Sequence, residues 1–132
     1  MSKSRKNAMF EKGFEIRKAV LGAEHVERSW ANADEFNRPM QELVTEYCWG
    51  ALWGRDDLPR KTLSIINIAL LTVLNRPHEL KIHVQGALRN GLTVEEIRGV
   101  LLQCAIYCGV PAAVDSFRVA SEAIKTFETA KA

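Results

Sequence analysis

Residues 63–74 read LSIINIALLTVL, and this stretch limits the fold more than any other part of the chain. At about 100° per residue its apolar side chains point nearly all the way round a helix, with only Ser64, Asn67 and Thr72 interrupting them. A helix of that kind is buried on most sides. A chain of 132 residues has little room to wrap one completely. The stretch therefore predicts contact with a second subunit; the alternative is a central helix in a monomeric bundle. It falls well short of the roughly 20 apolar residues of a membrane span.

The punctuation around this stretch marks further helices. Gly22 closes a first segment over about 9–21, whose apolar residues Phe10, Phe14, Ile16 and Val20 fit a helical stripe only moderately. A short helix over 24–33 follows, and Asp34 is placed to cap another that runs to about Trp53, with Pro39 tolerated near its start. Gly54-Arg55-Asp56-Asp57 reads as a loop, and Pro59 suits the first turn of the apolar helix. A helix from Pro77 to Arg89 stops at Asn90-Gly91. Thr93 with Glu96 forms a capping box that opens the next helix, and Gly109-Val110-Pro111 separates it from a last one over 111–129. No segment alternates with period two. The expectation is one all-α domain over 1–132 with six or seven helices, preceded by a flexible N-terminus over 1–8.

A net charge of +2 argues against nucleic acid as a partner, and the basic cluster Lys3, Arg5 and Lys6 reads as a solvated terminus. Residues 1–18 hold no apolar run of signal length, and three cysteines form no even disulfide framework. The expected compartment is a reducing one, the cytoplasm, with no membrane contact.

Several polar groups fall on apolar helix faces, where burial costs free energy unless a partner satisfies them. On the 77–89 helix, Leu80, Val84 and Ala87 form the stripe, while Lys81, Gln85 and Arg89 fall on the far side. His83 lies at the edge of the stripe, with Glu79 a turn earlier on the same flank. It is either a histidine hydrogen-bonded to Glu79 or a carbonyl, or a general acid or base that titrates near neutral pH. Glu79 and His83 find no third ligand, so no metal site is expected. Glu96 has a structural role as the capping-box acid, yet Glu96, Gln103 and Tyr107 recur on one face as a polar track suited to line a pocket. Cys104 and Cys108, one turn apart, project poorly for a disulfide. Cys108 sits at a helix C-terminus, where the dipole raises a thiol pKa, so it does not read as a nucleophile. The tryptophans Trp49 and Trp53 read as core. Arg60 is a surface residue unless an anionic substrate lies near it.

The blocks Trp49-Gly50, Leu58-Pro59-Arg60, Asn75-Arg76, Glu79-Leu80-Lys81 with His83, Asn90-Gly91 and Glu95-Glu96-Ile97 follow one another in a specific order. Gln103, then Ala105 to Gly109, then Pro111-Ala112-Ala113 complete the series. With these blocks the chain resembles the carboxymuconolactone decarboxylase family over nearly its whole length, about residue 10 to 125. The resemblance implies the helical fold of the alkylhydroperoxidase AhpD-type proteins and a homo-oligomer, a trimer or hexamer. The peroxidase branch of that fold needs a Cys-x-x-Cys pair and a following histidine. Here Glu96 and Cys108 fit its first two positions, but Pro111 and Asp115 occupy the second cysteine and the histidine, which disfavours thiol peroxidase chemistry.

The activity implied is decarboxylation, without a cofactor, of 4-carboxymuconolactone to 3-oxoadipate enol-lactone in protocatechuate breakdown. In that reading His83 donates the proton and Glu96 orients or recharges it. Arg60, Gln103, Tyr107, Cys108 and Glu79 line or bind the substrate, a small lactone with two carboxylates. Leu63 and Gln85 stand where the resemblance leads one to expect arginines, which favours as an alternative a family member acting on a different, less anionic small lactone or carboxylic acid. A non-catalytic helical assembly protein is the remaining alternative.

Overall fold

The computed structural model describes residues 3–131, with side chains from residue 8 onward. The basic cluster at 3–6 and most of the stretch expected to be flexible have side chains outside that description. The chain divides into two compact units, 1–58 and 59–132. Seven α-helices and one π-helix make up the described residues, which contain no strand, so the chain is all-α as its punctuation predicts.

The first unit contains α1 (Lys3–Leu21), α2 (Ala23–Ala31), α3 (Arg38–Leu43) and a π-helix (Val44–Leu52). The single helix expected from Asp34 to Trp53 is not what forms. Asp34 Oδ1 accepts from the backbone N–H groups of Phe36 (2.9 Å) and Asn37 (3.0 Å), closing a turn, and α3 starts only afterwards with Pro39 in its first positions. An aspartate that satisfies nearby amides in a turn competes with its own use as a helix cap. The chain then widens into a π-helix, with Trp53 N–H bonding to Cys48 O at 3.0 Å, five residues back. This places Trp49 and Trp53 in stacked contact, 4.7 Å between ring centroids, and buries both as expected.

The weak stripe of α1 has a physical cause. Its buried positions include Gly13, Ile16, Arg17 and Val20, so a glycine and an arginine sit in the buried face. Arg17 Nη1 donates to Gln41 Oε1 (2.9 Å) and Thr45 Oγ1 (3.4 Å). Burial alone pushes its guanidinium below the ordinary pKa.

The second unit contains α4 (Arg60–Val73), α5 (Pro77–Arg89), α6 (Val94–Tyr107) and α7 (Val110–Lys131). Its core joins Ile68 of α4, Leu80, Val84 and Ala87 of α5, Ile97 and Leu101 of α6, and Ala120 and Ala123 of α7. Fully burying one such aliphatic side chain contributes roughly 1.5–3 kcal/mol. The inward face of α7 is a row of small residues, Ala113, Ser116, Ala120 and Ala123, which lets its neighbours approach closely.

Two of the polar interruptions of α4, Ser64 and Thr72, have hydrogen-bond partners. Ser64 Oγ accepts from Asn90 Nδ2 at 2.9 Å, and Thr72 Oγ1 donates to Ile68 O at 2.8 Å. Within this chain α4 is not buried on most sides: Ser64, Ile68 and Thr72 face inward, while Ile66, Leu70 and Val73 are exposed. The far side of α5 is not a free face either. Lys81 pairs with Glu122 at 3.1 Å, Gln85 Nε2 donates to Ala123 O at 3.2 Å, and Arg89 lies over the Phe127 ring, so this side packs on α7. No helix among the described residues is long and apolar enough to cross a membrane.

Candidate functional site

Local sequence builds the α6 end of the site. Thr93 Oγ1 accepts from Glu96 N–H at 3.0 Å, and Glu96 Oε1 accepts from Thr93 N–H at 2.9 Å, the reciprocal capping box read from the sequence. Gly91, with φ of 99°, supplies the left-handed turn that lets α5 end and α6 begin three residues later, at Val94. The remaining oxygen of Glu96, Oε2, lies 3.3 Å from Lys61 Nζ on α4. The Thr93 backbone N–H first, and Lys61 after it, hold the Glu96 carboxyl below the ordinary carboxylate range.

From Glu96 the polar track continues along α6. A cavity of about 580 Å³ lies between α4 and α6. Ile65 and Ala69 line it from α4, and from α6 come Gly99, Val100 and Cys104 together with the polar residues Glu96, Gln103, Tyr107 and Cys108. Four of the seven residues singled out from the sequence thus meet at one cavity. Its surface is mostly apolar, with the polar groups on the α6 side, which is the composition of a small-molecule site. Tyr107 is 79% exposed and Ile106 77% exposed, so this end of α6 is open within the single chain.

The other three residues stand apart from the lining. His83 is half-buried on α5, at the edge of the Leu80–Val84 stripe where its spacing places it. Glu79, in the first turn of α5, is exposed. Arg60 is exposed at the start of α4, and its backbone carbonyl accepts from Asn90 Nδ2 at 3.5 Å. Lys61 escaped the sequence reading. Its only signal there is its spacing of four from Ile65 and eight from Ala69, and nothing marks Ile65 and Ala69 as cavity residues until α4 and α6 are brought together.

All three cysteines are free thiols. Burial pushes the Cys104 thiol up, and the neighbouring Cys108 adds to the rise. The Cys104 thiol is thereby not primed as a nucleophile in the way a catalytic cysteine requires. No group of three or more His, Cys, Asp or Glu side chains suited to hold a metal occurs among the described residues.

The carboxymuconolactone decarboxylase family matches residues 38–122, more than half the chain. A 4-carboxymuconolactone decarboxylase of Acinetobacter baylyi is 38% identical over 116 residues, covering 88% of this chain and 87% of that protein. A nitrosuccinic acid decarboxylase of Metarhizium robertsii is 41% identical over 116 residues, covering 88% of this chain and 81% of that protein. A 4-carboxymuconolactone decarboxylase of Pseudomonas putida is 37% identical over a shorter 41-residue match.

Proposed function

The chain belongs to the carboxymuconolactone decarboxylase family, and from that membership we propose that it is a cofactor-free carboxy-lyase that converts 4-carboxymuconolactone to 3-oxoadipate enol-lactone. The observation that carries this reading is the α4/α6 cavity, apolar across most of its lining and edged by Glu96, Gln103 and Tyr107. Decarboxylation needs both features. The departing carboxylate breaks its bond to the ring carbon most readily where little stabilises its charge. The electron pair left behind, delocalised into the lactone carbonyl, needs a hydrogen-bond donor and then a proton.

The residues divide accordingly. Tyr107 and Gln103 are the donors at the cavity edge that suit the developing enolate oxygen. Cys108 and the apolar residues shape the pocket. His83 is the proton donor to the ring carbon, an assignment that rests on its chemistry, since imidazole changes charge near neutral pH. Glu96 sets the electrostatics of the cavity edge. Arg60, a cation at the exposed start of α4, assists the entry of the anionic substrate. The enzyme acts as a homo-oligomer, a trimer or hexamer, in the cytoplasm. The exposed apolar residues Ile66, Leu70, Val73 and Ile106 support a subunit interface, and three free thiols suit a reducing compartment.

A second reading, a smaller diacid such as nitrosuccinic acid, is favoured by one observation. The relative named for that acid is 41% identical across 88% of the chain. A nitro group next to the departing carboxylate takes up the electron pair much as a lactone carbonyl does. Leu63 and Gln85 are also not cations, and Gln85 is tied to the Ala123 carbonyl.

Two assays decide between them: ultraviolet loss of enzymatically generated 4-carboxymuconolactone, and carbon dioxide release from nitrosuccinate. Acceleration of the first supports the leading reading. Acceleration of the second alone transfers the assignment to the smaller acid. A folded sample that accelerates neither removes the decarboxylase assignment.

A further inference from the structure

Positions 61, 65 and 69 recur every fourth residue on α4 and so share one face. Ile65 and Ala69 line the α4/α6 cavity. Lys61 extends the same row one turn toward the helix start, and its Nζ lies 3.3 Å from Oε2 of Glu96, which also lines the cavity. The lining itself contains no lysine or arginine. Arg60, one residue earlier, belongs to a different face. Position 64 shares that face, and Ser64 is buried in a hydrogen bond with Asn90. Lys61 is thus a cation that the fold brings beside the cavity lining, at Glu96.

Glu96 does not depend on Lys61 to hold its place. Its other oxygen is bonded by Thr93 N–H at 2.9 Å, and Thr93 Oγ1 takes the Glu96 N–H in return. The Lys61 and Glu96 side chains are 46% and 41% exposed, so their contact is solvent-screened and weak. An incoming carboxylate therefore displaces Glu96 from Lys61 at little cost, while Glu96 stays fixed by its cap.

We infer that Lys61 binds the retained carboxylate of a dicarboxylic acid substrate, exchanging Glu96 for it, and is the residue that selects diacids over monoacids. This rests on the decarboxylase reading above. The mouth of the cavity carries the Glu96 carboxylate, which stays anionic at neutral pH. A doubly charged substrate is repelled there unless a cation offsets that charge. Once one carboxylate is held at Lys61, the α4 surface beyond it is apolar, Ile65 then Ala69. The second carboxylate meets no compensating charge along that row, and its loss as carbon dioxide relieves the mismatch. Binding at Lys61 is the same in the bound substrate and in the transition state, so it sets KM and leaves kcat nearly untouched.

The test uses Lys61→Met and Lys61→Arg in the full chain, each checked for an unchanged melting midpoint, with steady-state kinetics on 4-carboxymuconolactone and calorimetric titration with maleate, an unreactive diacid. In Lys61→Met, KM and the maleate Kd are expected to rise on the order of tenfold, with kcat held within about threefold. Lys61→Arg keeps both constants near wild type, and added salt weakens binding in wild type but not in Lys61→Met. If wild type turns over the lactone and Lys61→Met keeps its KM within about twofold, this inference is overturned and the decarboxylase reading stands. If wild type turns over nothing, the decarboxylase reading fails. Maleate binding that is lost in Lys61→Met then still supports Lys61 as a diacid site, and maleate binding that is unchanged or absent in wild type overturns it.

Discussion

A Cβ built on Gly13 of α1 would lie 1.8 Å from the carbonyl oxygen of Thr45 and 2.7 Å from the backbone nitrogen of Gly50. The helix and the π-helix meet backbone to backbone at this point. A Cβ at Gly50 would in turn sit 2.6 Å from Met9 O, so the two glycines interlock from opposite sides. Because the obstructing atoms are backbone, no side-chain rotation relieves the clash. Gly13→Ala is expected to destabilise the protein by about 1–3 kcal/mol or more, read as a lower urea midpoint. An unchanged midpoint would contradict this close approach.

The cap of α6 makes stability pH-dependent. Glu96 is held below its ordinary value of 4.5 by the Thr93 backbone N–H and by Lys61. A depressed carboxyl contributes stability that is complete above its unfolded pKa and is lost as the pH falls through the folded value. Wild type should therefore lose a component of stability in the acid range that Glu96→Gln does not show, when urea unfolding is compared at neutral and acid pH. At neutral pH, Thr93→Ala should cost about 0.5–2 kcal/mol through loss of the cap.

His83→Gln separates catalysis from packing, since the amide keeps much of the shape of a half-buried imidazole but does not titrate. With 4-carboxymuconolactone as substrate, turnover is expected to fall by on the order of 10²–10⁴ if His83 supplies the proton. Near-normal turnover from a folded His83→Gln would move the proton donor to the cavity edge, where Tyr107→Phe is the next variant to assay.

The thiols offer a check that needs no substrate. Burial raises the Cys48 pKa, and the Arg17 guanidinium partly opposes that rise. Cys104 is raised by burial and by Cys108. Both should react with iodoacetamide more slowly in the native protein at neutral pH than after unfolding, followed by mass spectrometry. Arg17→Met removes the opposing charge, so Cys48 should become slower still. A faster Cys48 in that variant would count against the arrangement.

Much of the chain was legible because its determinants are local. The stop at Asn90-Gly91 and the Thr93–Glu96 capping box depend on neighbours within one turn, and both form as their residue types require. The face shared by Glu96, Gln103 and Tyr107 follows from helical geometry alone. The segment over 34–53 was not legible in the same way. Asp34 reads as a cap but closes a turn instead, and nothing local distinguishes an α-helix from the π-helix that carries Trp49 and Trp53 into contact.

By itself the sequence determined the all-α class, the helix ends set by Gly91, Thr93 and Gly109, and the family to which the chain belongs. It also set which side chains share a face on each helix, because that depends only on the rise and twist of the backbone. Tertiary structure alone decided which faces meet. Lys81, Gln85 and Arg89 read only as the side away from the apolar stripe, yet they pack on α7, and Lys61 carries no mark until α4 lies against α6 and its amine reaches Glu96. The reason is physical: caps and turns are settled by hydrogen bonds within a few residues, whereas a cavity edge comes from buried apolar area shared among helices distant in the chain. That packing specifies Ile68, Leu80, Ile97 and Ala120 directly and brings the charged residues beside them together only as a consequence.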